Sequence, residues 1–326
     1  MAAPPRMLSV LALLGLAALL LVPAFADRFY VQLFTKVMTM AIFAMSLGLL
    51  VSGVGLVSLG HGAFFALAAY IVALVSPATE GASLWLALPL AIGGAALAAL
   101  AIGALAIRTS GVYFIMITLA FGQMLFYLFH DTKIAGGADG LFIAARPVVA
   151  VGGIALLQLD HRPSLFYATL VAMAATYLFL GIVSRAPFGK AIEGIRVNEQ
   201  RMRALGYDTY LHKLVAFGLS GALAGFSGFI YATQYTYVNP ALFSWHQSGL
   251  ALMMVILGGL RSRLGPLVGA FALVLIEELV QAWTTHWLLL IGVFVISVVL
   301  TLPNGLVDLL PRLLPRDRRR GVAVDA

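Results

Sequence analysis

Residues able to carry chemistry are few in this chain, and none has the spacing of a familiar catalytic motif. No G-x-x-x-x-G-K-[ST] run is present, so the chain lacks this loop for holding the phosphates of ATP. No H-E-x-x-H pair occurs among the six histidines, and the absence of cysteine excludes thiol catalysis and cysteine-based metal sites. Glu277 and Glu278 are adjacent, so on a helix they point about 100° apart and form no facing acid pair. These patterns argue against an enzyme.

Small and polar residues near position 58 suggest a different chemistry, the binding of a ligand by exposed backbone groups. Ser58 and His61 lie among four glycines between Gly53 and Gly62. In an apolar helix, glycines permit either close packing or a break that exposes backbone groups to a ligand. Both interpretations stay open. The candidate residues of a substrate pathway are Ser58, Gly60, His61, Gly62, Thr118, Gln123 and Glu277.

The elements that must position these residues are apolar helices. The 326-residue chain is 62% hydrophobic and 10% charged, whereas a soluble domain carries roughly 25% charged residues. Apolar runs of about 20 residues recur along the chain, and that length crosses a bilayer as a helix. The runs are continuously apolar rather than alternating, which argues against an outer-membrane barrel. The sequence predicts an all-α, polytopic transmembrane helical bundle.

We predict about ten apolar segments, or nine if the first is cleaved. Met7–Ala26 ends in a run that resembles a signal-peptidase site, so it is either a cleaved signal or, as its length favours, a permanent span. Asp27–Phe34 would then form a short outer loop. The other segments are Thr35–Val54, Gly60–Ser76, Leu84–Ile107, Val112–His130, Ser164–Ser184, Lys213–Tyr235, His246–Leu260, Pro266–Trp283 and Trp287–Leu302. Gly60–Ser76 and His246–Leu260 are short enough to be tilted, broken or re-entrant.

The basic residues predict that both termini lie on the cytoplasmic side. In that orientation 15 of the 20 Lys and Arg residues face the cytoplasm, as the positive-inside rule requires. They are Arg6, Arg108, the six from Arg185 to Lys213, Arg261, Arg263 and the five from Arg312 to Arg320. Orientation thus accounts for the net charge of +7, and we expect no nucleic-acid partner.

Two features follow the sixth predicted segment, Ser164–Ser184. The first is the polar stretch that begins at Arg185, whose mixed charges suit contact with a soluble partner on the cytoplasmic side. The second is a small-residue face on the next segment, formed by Gly221, Gly225 and Gly228. Such a face usually packs against another helix or subunit, and a place in a pore is the alternative.

Transport is the function class that these features favour. Ion-coupled carriers need buried ion-binding groups near the midplane, but the predicted membrane interior is nearly free of charge apart from Glu277 and Glu278. This weakens an ion-coupled secondary carrier and favours a passive translocation pore whose energy arrives through a cytoplasmic partner. A non-transporting membrane scaffold is the remaining class.

Several stretches resemble the permeases of branched-chain amino-acid ABC transporters. They are GLVSLGHGAFFALAAY at 55–70, GVYFIMITLAFGQ at 111–123, GGADGL at 136–141, and FGKAIEGIRVNE at 188–199 followed by ALGY at 204–207. The second and third resemble the LivM branch rather than the LivH branch. The resemblance covers about residues 40 to 305, with the motifs in the family's order.

The resemblance implies a multi-pass subunit of an ABC importer in the bacterial inner membrane. The implied partners are a LivH-like second permease, two cytoplasmic ABC ATPases and a periplasmic substrate-binding protein, besides the lipid bilayer. It also implies no cofactor in this chain, since the partner ATPases would bind ATP and Mg²⁺. The implied cargo is leucine, isoleucine and valine. Relatives that carry other amino acids, urea or other amides leave another small solute open.

The resemblance also assigns the polar loop to contact with an ATPase. The assigned residues are Gly189, Glu193, Arg196, Asn198, Glu199 and Gly206. We expect short helices that rest in a groove of the ATPase, with Glu193 or Glu199 paired with Arg196 across the contact and Gly206 ending a helix. Two places depart from the family pattern: Gln200, Arg201 and Met202 stand where alanines are common, and Gly194 interrupts the loop helix.

The whole chain, 1–326, is predicted to be one permease domain. Its parts are the first span or signal-like segment 1–34, the N-terminal spans 35–184 with the outer loop 131–163, the cytoplasmic coupling loop 185–212, the C-terminal spans 213–305 and the basic cytoplasmic tail 306–326.

Overall fold

The fold is a bundle of helices, seen in a computed structural model that describes residues 5–77, 83–151, 154–158, 162–260 and 262–309. The helices are α1 (Pro5–Phe25), α2 (Arg28–Gly48), α3 (His61–Val75), α4 (Leu84–Ala106), α5 (Val112–Asp131), α6 (Arg162–Arg185), α7 (Pro187–Val197), α8 (Glu199–Ala204), α9 (Thr209–Tyr235), α10 (Trp245–Gly258), α11 (Gly265–Gln281) and α12 (Trp287–Thr301). A π-helical turn, Leu49–Val54, continues α2.

Each predicted apolar segment contains a helix, and the polar loop contains α7 and α8. One expectation is wrong: Asp27–Phe34 is not a loop, because α2 already begins at Arg28 with Asp27 as its N-cap. The predicted helical fold is confirmed, and it also carries two short antiparallel strand pairs. β1 (Leu141–Phe142) pairs with β4 (Tyr237–Val238), and β2 (Val148–Val151) pairs with β3 (Ile154–Gln158). Most of the predicted basic tail, 310–326, lies outside the described residues.

Five helical stretches of the described chain are long and apolar enough to cross a membrane. They are Arg28–Val54, Leu84–Ala106, Val112–Asp131, Pro163–Arg185 and Thr209–Tyr235. By contrast, α3 has 15 residues and α10 has 14, so at 1.5 Å per residue they are only about 21–23 Å long. The number of crossings and the orientation stay predictions. We name the two ends of the bundle by that predicted topology: loop 131–163 marks the outer end and loop 185–212 the inner end.

The centre of the bundle is an antiparallel seam between α2 and α9. Three side chains of α9, seven residues apart, donate hydrogen bonds to backbone carbonyls of α2. Ser220 Oγ donates to Ser46 O at 2.6 Å, Ser227 Oγ to Thr39 O at 2.7 Å and Gln234 Nε2 to Gln32 O at 3.0 Å. Seven residues are nearly two turns, so all three donors lie on one face of α9.

The two halves of the bundle repeat one order of elements on either side of this seam. In α2–α5 and in α9–α12, a long helix is followed by an irregular buried stretch, a short helix and two more helices. Each long helix packs against the short helix and the next helix of the other half: α9 against α3 and α4, and α2 against α10 and α11. Because α2 and α9 are antiparallel, the two halves run in opposite directions.

The irregular stretches bring the N-termini of the short helices α3 and α10 together. The first stretch, residues 55–60, is crossed closely by α5: a Cβ on Gly60 would lie 2.1 Å from the Thr118 carbonyl oxygen. The second stretch contains β4 and a 3₁₀ turn, Pro240–Phe243, that packs against α3 and α5. Ser248 Oγ accepts a hydrogen bond from the Gly62 backbone N–H at 2.8 Å, which joins the two helix starts.

Candidate functional site

His61 lies at the start of α3, where it meets the central seam. Its side chain is fully buried, and Nε2 is 2.9 Å from Ser46 Oγ and 3.4 Å from Ser220 Oγ. The ring stacks on Phe43 with centroids 5.7 Å apart and meets Phe64 edge-on. An imidazole therefore sits where α2, α3 and α9 come together.

The contacts of Ser46 and Ser220 favour one tautomer of His61. Ser46 Oγ lies 2.7 Å from Phe43 O, and Ser220 Oγ lies 2.6 Å from Ser46 O. A hydroxyl has a single hydrogen, so one that donates to a carbonyl can only accept from the ring. This arrangement favours the ring hydrogen on Nε2, and the buried Nδ1 has no partner among the described residues.

Five of the predicted pathway residues meet at this junction: Ser58, Gly60, His61, Gly62 and Thr118. All five are buried. The Thr118 hydroxyl is fully used, since it donates to Ile115 O at 2.9 Å and accepts from the Leu59 N–H at 3.3 Å, whereas Ser58 Oγ has no partner among the described residues. None of the five lines either of the two cavities described below.

The other two predicted pathway residues lie elsewhere. Gln123 is half-buried on α5, one turn beyond the Gly60 crossing. Glu277 lies toward the outer end of α11, where its Oε1 accepts a hydrogen bond from Gln281 Nε2 at 3.2 Å. The structure thus separates the acidic candidate from the His61 junction. A place in a substrate pathway stays a prediction for all seven residues.

An outer cavity of about 550 Å³ opens between the outer ends of α2, α9 and α11. Its wall includes Lys36 of α2 and Glu278 of α11, whose Nζ and Oε2 atoms are 3.6 Å apart. Gln234 and Arg146 also line it, and Arg146 Nη2 donates to the Gln234 carbonyl at 3.4 Å. The cavity therefore holds both signs of charge at the edge of the apolar bundle.

An inner cavity of about 480 Å³ lies at the other end of α2, between α2, α6, α7 and a group of residues before and at the start of α11, namely Leu260, Ser262, Arg263 and Pro266. Glu193 and Arg196 of α7 and Arg263 line it. Between the two cavities, Val37 to Ala44 of α2 are all 8% exposed or less. This buried stretch spans roughly 12 Å at 1.5 Å per residue, so α2 is packed on all sides between the two cavities.

The coupling loop has one face packed on the bundle and one face in solvent. Gly189, Ala191, Ile192 and Ile195 of α7 are buried against α6, α9 and the π-helical end of α2. On the other face, Glu193 and Arg196 are exposed, and so are the apolar side chains of Val197 (77% exposed) and Leu205 (66% exposed). Apolar side chains on a charged surface outside the bundle are typical of a docking site.

Glu199 does not pair with Arg196. Its carboxylate instead binds within the chain, to Lys213 Nζ at 2.5 Å, Arg203 Nη2 at 2.6 Å and Thr209 Oγ1 at 3.0 Å. Burial alone would raise the pKa of Glu199, but the hydrogen bonds and positive charge of Lys213, with the bonds from Arg203 and Thr209, lower it below its ordinary value. We call these contacts the Glu199 network. They tie α8 to the start of α9, because Glu199 and Arg203 belong to α8, whereas Thr209 and Lys213 belong to α9.

The remaining loop residues shape its two helices. Asn198 is the N-cap of α8, with Oδ1 accepting from the Arg201 N–H at 2.9 Å. Gly206 has φ +88° and ends α8, since this conformation suits glycine. The two departures from the family pattern touch one another: a Cβ on Gly194 would lie 2.8 Å from Met202 Sδ. The flexible thioether thus fills the space that the glycine leaves.

The three glycines of α9 allow close contact with the neighbouring helices. A Cβ on Gly221 would lie 2.3 Å from Ala99 Cβ, and one on Gly225 would lie 2.5 Å from Ala95 Cβ, both on α4. A Cβ on Gly228 would lie 2.0 Å from the Phe65 carbonyl oxygen of α3. The structure places all three in helix contacts, and none of them lines either cavity.

A sequence profile identifies the family of this chain. A profile described as "Branched-chain amino acid transport system / permease component" matches residues 29–300, which include both cavities and the coupling loop. The chain belongs to this family. The chain is a LivM-like permease of branched-chain amino-acid transport with several membrane-spanning helices.

Curated relatives agree with this assignment. The chain is 30% identical over 306 residues to the high-affinity branched-chain amino acid transport system permease protein LivM of Escherichia coli (strain K12), covering 88% of this chain and 72% of the relative. It has the same identity and coverage with the LivM protein of Salmonella typhimurium (strain LT2). A probable LivM protein of Methanocaldococcus jannaschii is 22% identical over 214 residues, or 59% of this chain and 58% of the relative. No solved structure matches the chain.

Sequence reasoning missed four buried serines that connect helices, at the seam and at the start of α10. Ser46, Ser220, Ser227 and Ser248 were not among the candidates, although each is 1% exposed or less and contacts a neighbouring helix. One signal was present: Ser220, Ser227 and Gln234 recur at intervals of seven in an otherwise apolar segment. Polar residues at that spacing lie on one helix face and indicate a partner helix.

Proposed function

We propose that this chain is a membrane-spanning permease subunit of an ATP-driven importer of branched-chain amino acids in the bacterial inner membrane. It works with a LivH-like second permease, two cytoplasmic ABC ATPases that bind ATP and Mg²⁺, and a periplasmic substrate-binding protein. Family membership supports the cargo class. The observation that carries the coupling role is the two-faced loop, which exposes Val197 and Leu205 to solvent while its other face packs on the bundle.

The contacts of the loop suggest how a movement of the ATPase is transmitted to the cavities. Ile192 packs against the π-helical end of α2: a Cβ on Gly53 would lie 3.4 Å from Ile192 Cδ1. α7 also lines the inner cavity. The Glu199 network joins α8 to α9, which the seam joins to α2. A rotation of α7 and α8 would therefore move both long helices and change the inner cavity.

Reconstitution of the complete importer in liposomes tests the proposal. With ATP inside and the loaded binding protein outside, we expect uptake of labelled leucine that stops when the partner ATPases are made inactive. Uptake driven by an ion gradient in liposomes that hold this chain alone would instead indicate a secondary carrier. Uptake of urea but not of leucine by the complete complex would keep the ABC mechanism and overturn the cargo.

Two substitutions on the exposed loop face test the coupling role. Val197→Asp and Leu205→Asp place charge where an apolar contact with the ATPase is expected, so leucine uptake should fall by roughly tenfold or more. Gln200→Asp, at an exposed position of α8, is the matched control and should keep uptake. Assembly of the ATPase with the membrane subunits, measured by co-purification, should weaken in parallel. Full coupling in the Val197→Asp, Leu205→Asp variant would refute this surface as the docking site.

A further inference from the structure

The outer cavity combines charges that match a particular ligand. An α-amino acid carries its ammonium and carboxylate groups on one carbon, so a complementary site needs a cation and an anion side by side. Lys36 and Glu278 provide that pair on the cavity wall, with Nζ and Oε2 3.6 Å apart. The volume of about 550 Å³ falls within the usual size of small-molecule pockets.

This ion pair is suited to being opened by a ligand. The Lys36 and Glu278 side chains line the cavity and are 26% and 30% exposed. Partly exposed ion pairs contribute little to stability. A ligand that offers a carboxylate to Lys36 and an ammonium to Glu278 would replace one opposite-charge contact with two. Opening the Lys36–Glu278 pair for a ligand would therefore cost the folded protein little stability.

Gln234 lies on the wall of the same cavity and is 8% exposed. Its Nε2 donates a hydrogen bond to the Gln32 carbonyl of α2, which fixes the orientation of the amide. Its Oε1 is buried and has no hydrogen-bond partner among the described residues. That atom is therefore not exposed to a ligand in the cavity, and Lys36 and Glu278 are the groups that a ligand can reach.

Apolar groups of the same cavity complete the match. Phe29 and Leu33 of α2 and Tyr235 of α9 line it beside the charges. The branched hydrocarbon side chain of an amino acid can pack on them while the ammonium and carboxylate groups of that amino acid face Glu278 and Lys36. A neutral amide such as urea offers neither a charge for the ion pair nor a hydrocarbon chain for these rings.

We propose that the outer cavity binds a zwitterionic, apolar α-amino acid, with Lys36 holding the carboxylate and Glu278 holding the ammonium group. The inference rests on the proposed function, which it deepens by naming the residues that receive the cargo on the outer side. In this proposal the chain itself selects its cargo by the cargo's charged groups, which a passive pore would not do.

Protection of an introduced cysteine tests the proposal directly, because the natural chain contains no cysteine. Gln281→Cys places a thiol on the exposed wall of the cavity, and its alkylation by a maleimide is followed on this subunit in the purified importer without binding protein. We expect L-leucine to slow labelling in a saturable manner. 3-Methylbutylamine, 4-methylpentanoate and urea should protect at least tenfold less well, since each lacks a charge of the zwitterion.

Variants identify the residues responsible. Lys36→Gln and Glu278→Gln in the Gln281→Cys background should each raise the leucine concentration needed for protection by roughly tenfold. Lys133→Gln and Asp131→Asn, on exposed positions of the same end, are the matched controls and should leave protection unchanged. A cysteine at Lys133 should be labelled at the same rate with and without leucine.

The outcomes separate this inference from the proposed function. Leucine uptake by the reconstituted importer without any leucine protection of Gln281→Cys would overturn the zwitterion site and leave the proposed function standing. Protection by the binding protein alone, whether or not leucine is present, would overturn it in favour of a protein docking surface. Protection by leucine in a complex that transports urea but not leucine would support the site and overturn the proposed cargo.

Discussion

Two polar regions hold α9 in place, and they are built in opposite ways. The seam with α2 uses neutral groups: buried hydroxyl and amide donors reach backbone carbonyls at three levels along the bundle. The Glu199 network at the inner end uses charges, with one carboxylate bound to Lys213 and Arg203 in contact with solvent. The difference follows the surroundings, because a charge is costly in hydrocarbon but cheap near water.

The two regions also differ in how they can respond to a substitution. The seam is bounded by backbone atoms that cannot move separately, such as the Phe65 carbonyl beside Gly228. The loop is bounded by flexible side chains, such as Met202 beside Gly194. We therefore expect a rigid core that transmits motion and an adaptable loop that receives it, with the following effects on stability from largest to smallest.

Gly228→Ala should cause the largest loss, because its Cβ would lie 2.0 Å from a backbone oxygen. We expect about 3 kcal/mol of destabilisation, as for overpacking of a rigid core, measured as a lower thermal unfolding midpoint in detergent. Gly249→Ala is the matched control, since nothing lies within 4 Å of its Cβ, and alanine should stabilise α10 by up to about 1 kcal/mol. Equal midpoints for the two variants would contradict a rigid seam.

Ser227→Ala should remove one hydrogen bond of the seam, the one to Thr39 O. Interhelical bonds of this kind contribute about 1 kcal/mol, so the unfolding midpoint should fall modestly. Ser297→Ala provides the comparison, because Ser297 is exposed and bonds only within its own helix, to Val293 O. If both alanines have the same effect, the seam hydroxyls do not stabilise the packing of α2 on α9.

Glu199→Gln should destabilise the inner end by at most about 1 kcal/mol at neutral pH, since the pairs are partly exposed and screened. The folded-state pKa of Glu199 is lowered from 4.5, so its stabilising effect is present above pH 4.5 and is lost as the pH falls below it. The difference in unfolding midpoint between wild type and variant should therefore shrink below that pH and in high salt. Glu193→Gln, on the exposed face of α7, is the control and should have the unfolding midpoint of the wild type at every pH and salt concentration. If the difference in midpoint between wild type and Glu199→Gln did not change with pH, a charge effect would be excluded.

Gly194→Ala should have the smallest effect, because the atom it meets is the flexible end of Met202. Combining it with Met202→Ala should relieve the contact, giving a coupling of roughly 0.5 kcal/mol in a double-mutant cycle. Gly228→Ala and Met202→Ala, which are on separate contacts, should be additive. Additivity of the loop pair would show that the two departures from the family pattern are unrelated.

The sequence predicts the helices well and their partners poorly. Long apolar runs determine where α2, α4, α5, α6 and α9 lie, because an apolar segment of that length has only a helix available in a bilayer. The helical start of α2 at Arg28 escaped prediction, since its mixed apolar and polar residues read equally well as a loop. The role of Glu199 escaped it too, because Lys213 is 14 residues away and meets it only once α8 has folded back on α9.

By itself, the sequence determined a helical membrane protein, a charged inner loop and a family of permeases, because these depend on hydrophobicity, charge and local motifs. Tertiary structure alone decided that α2 and α9 form the seam, that His61 is sealed between α2, α3 and α9, and that Lys36, Glu278 and Gln234 share one cavity. Lys36 is 198 positions from Gln234 and 242 from Glu278, and no local pattern relates them. They meet because two oppositely directed halves pack across one hydrogen-bonded helix pair.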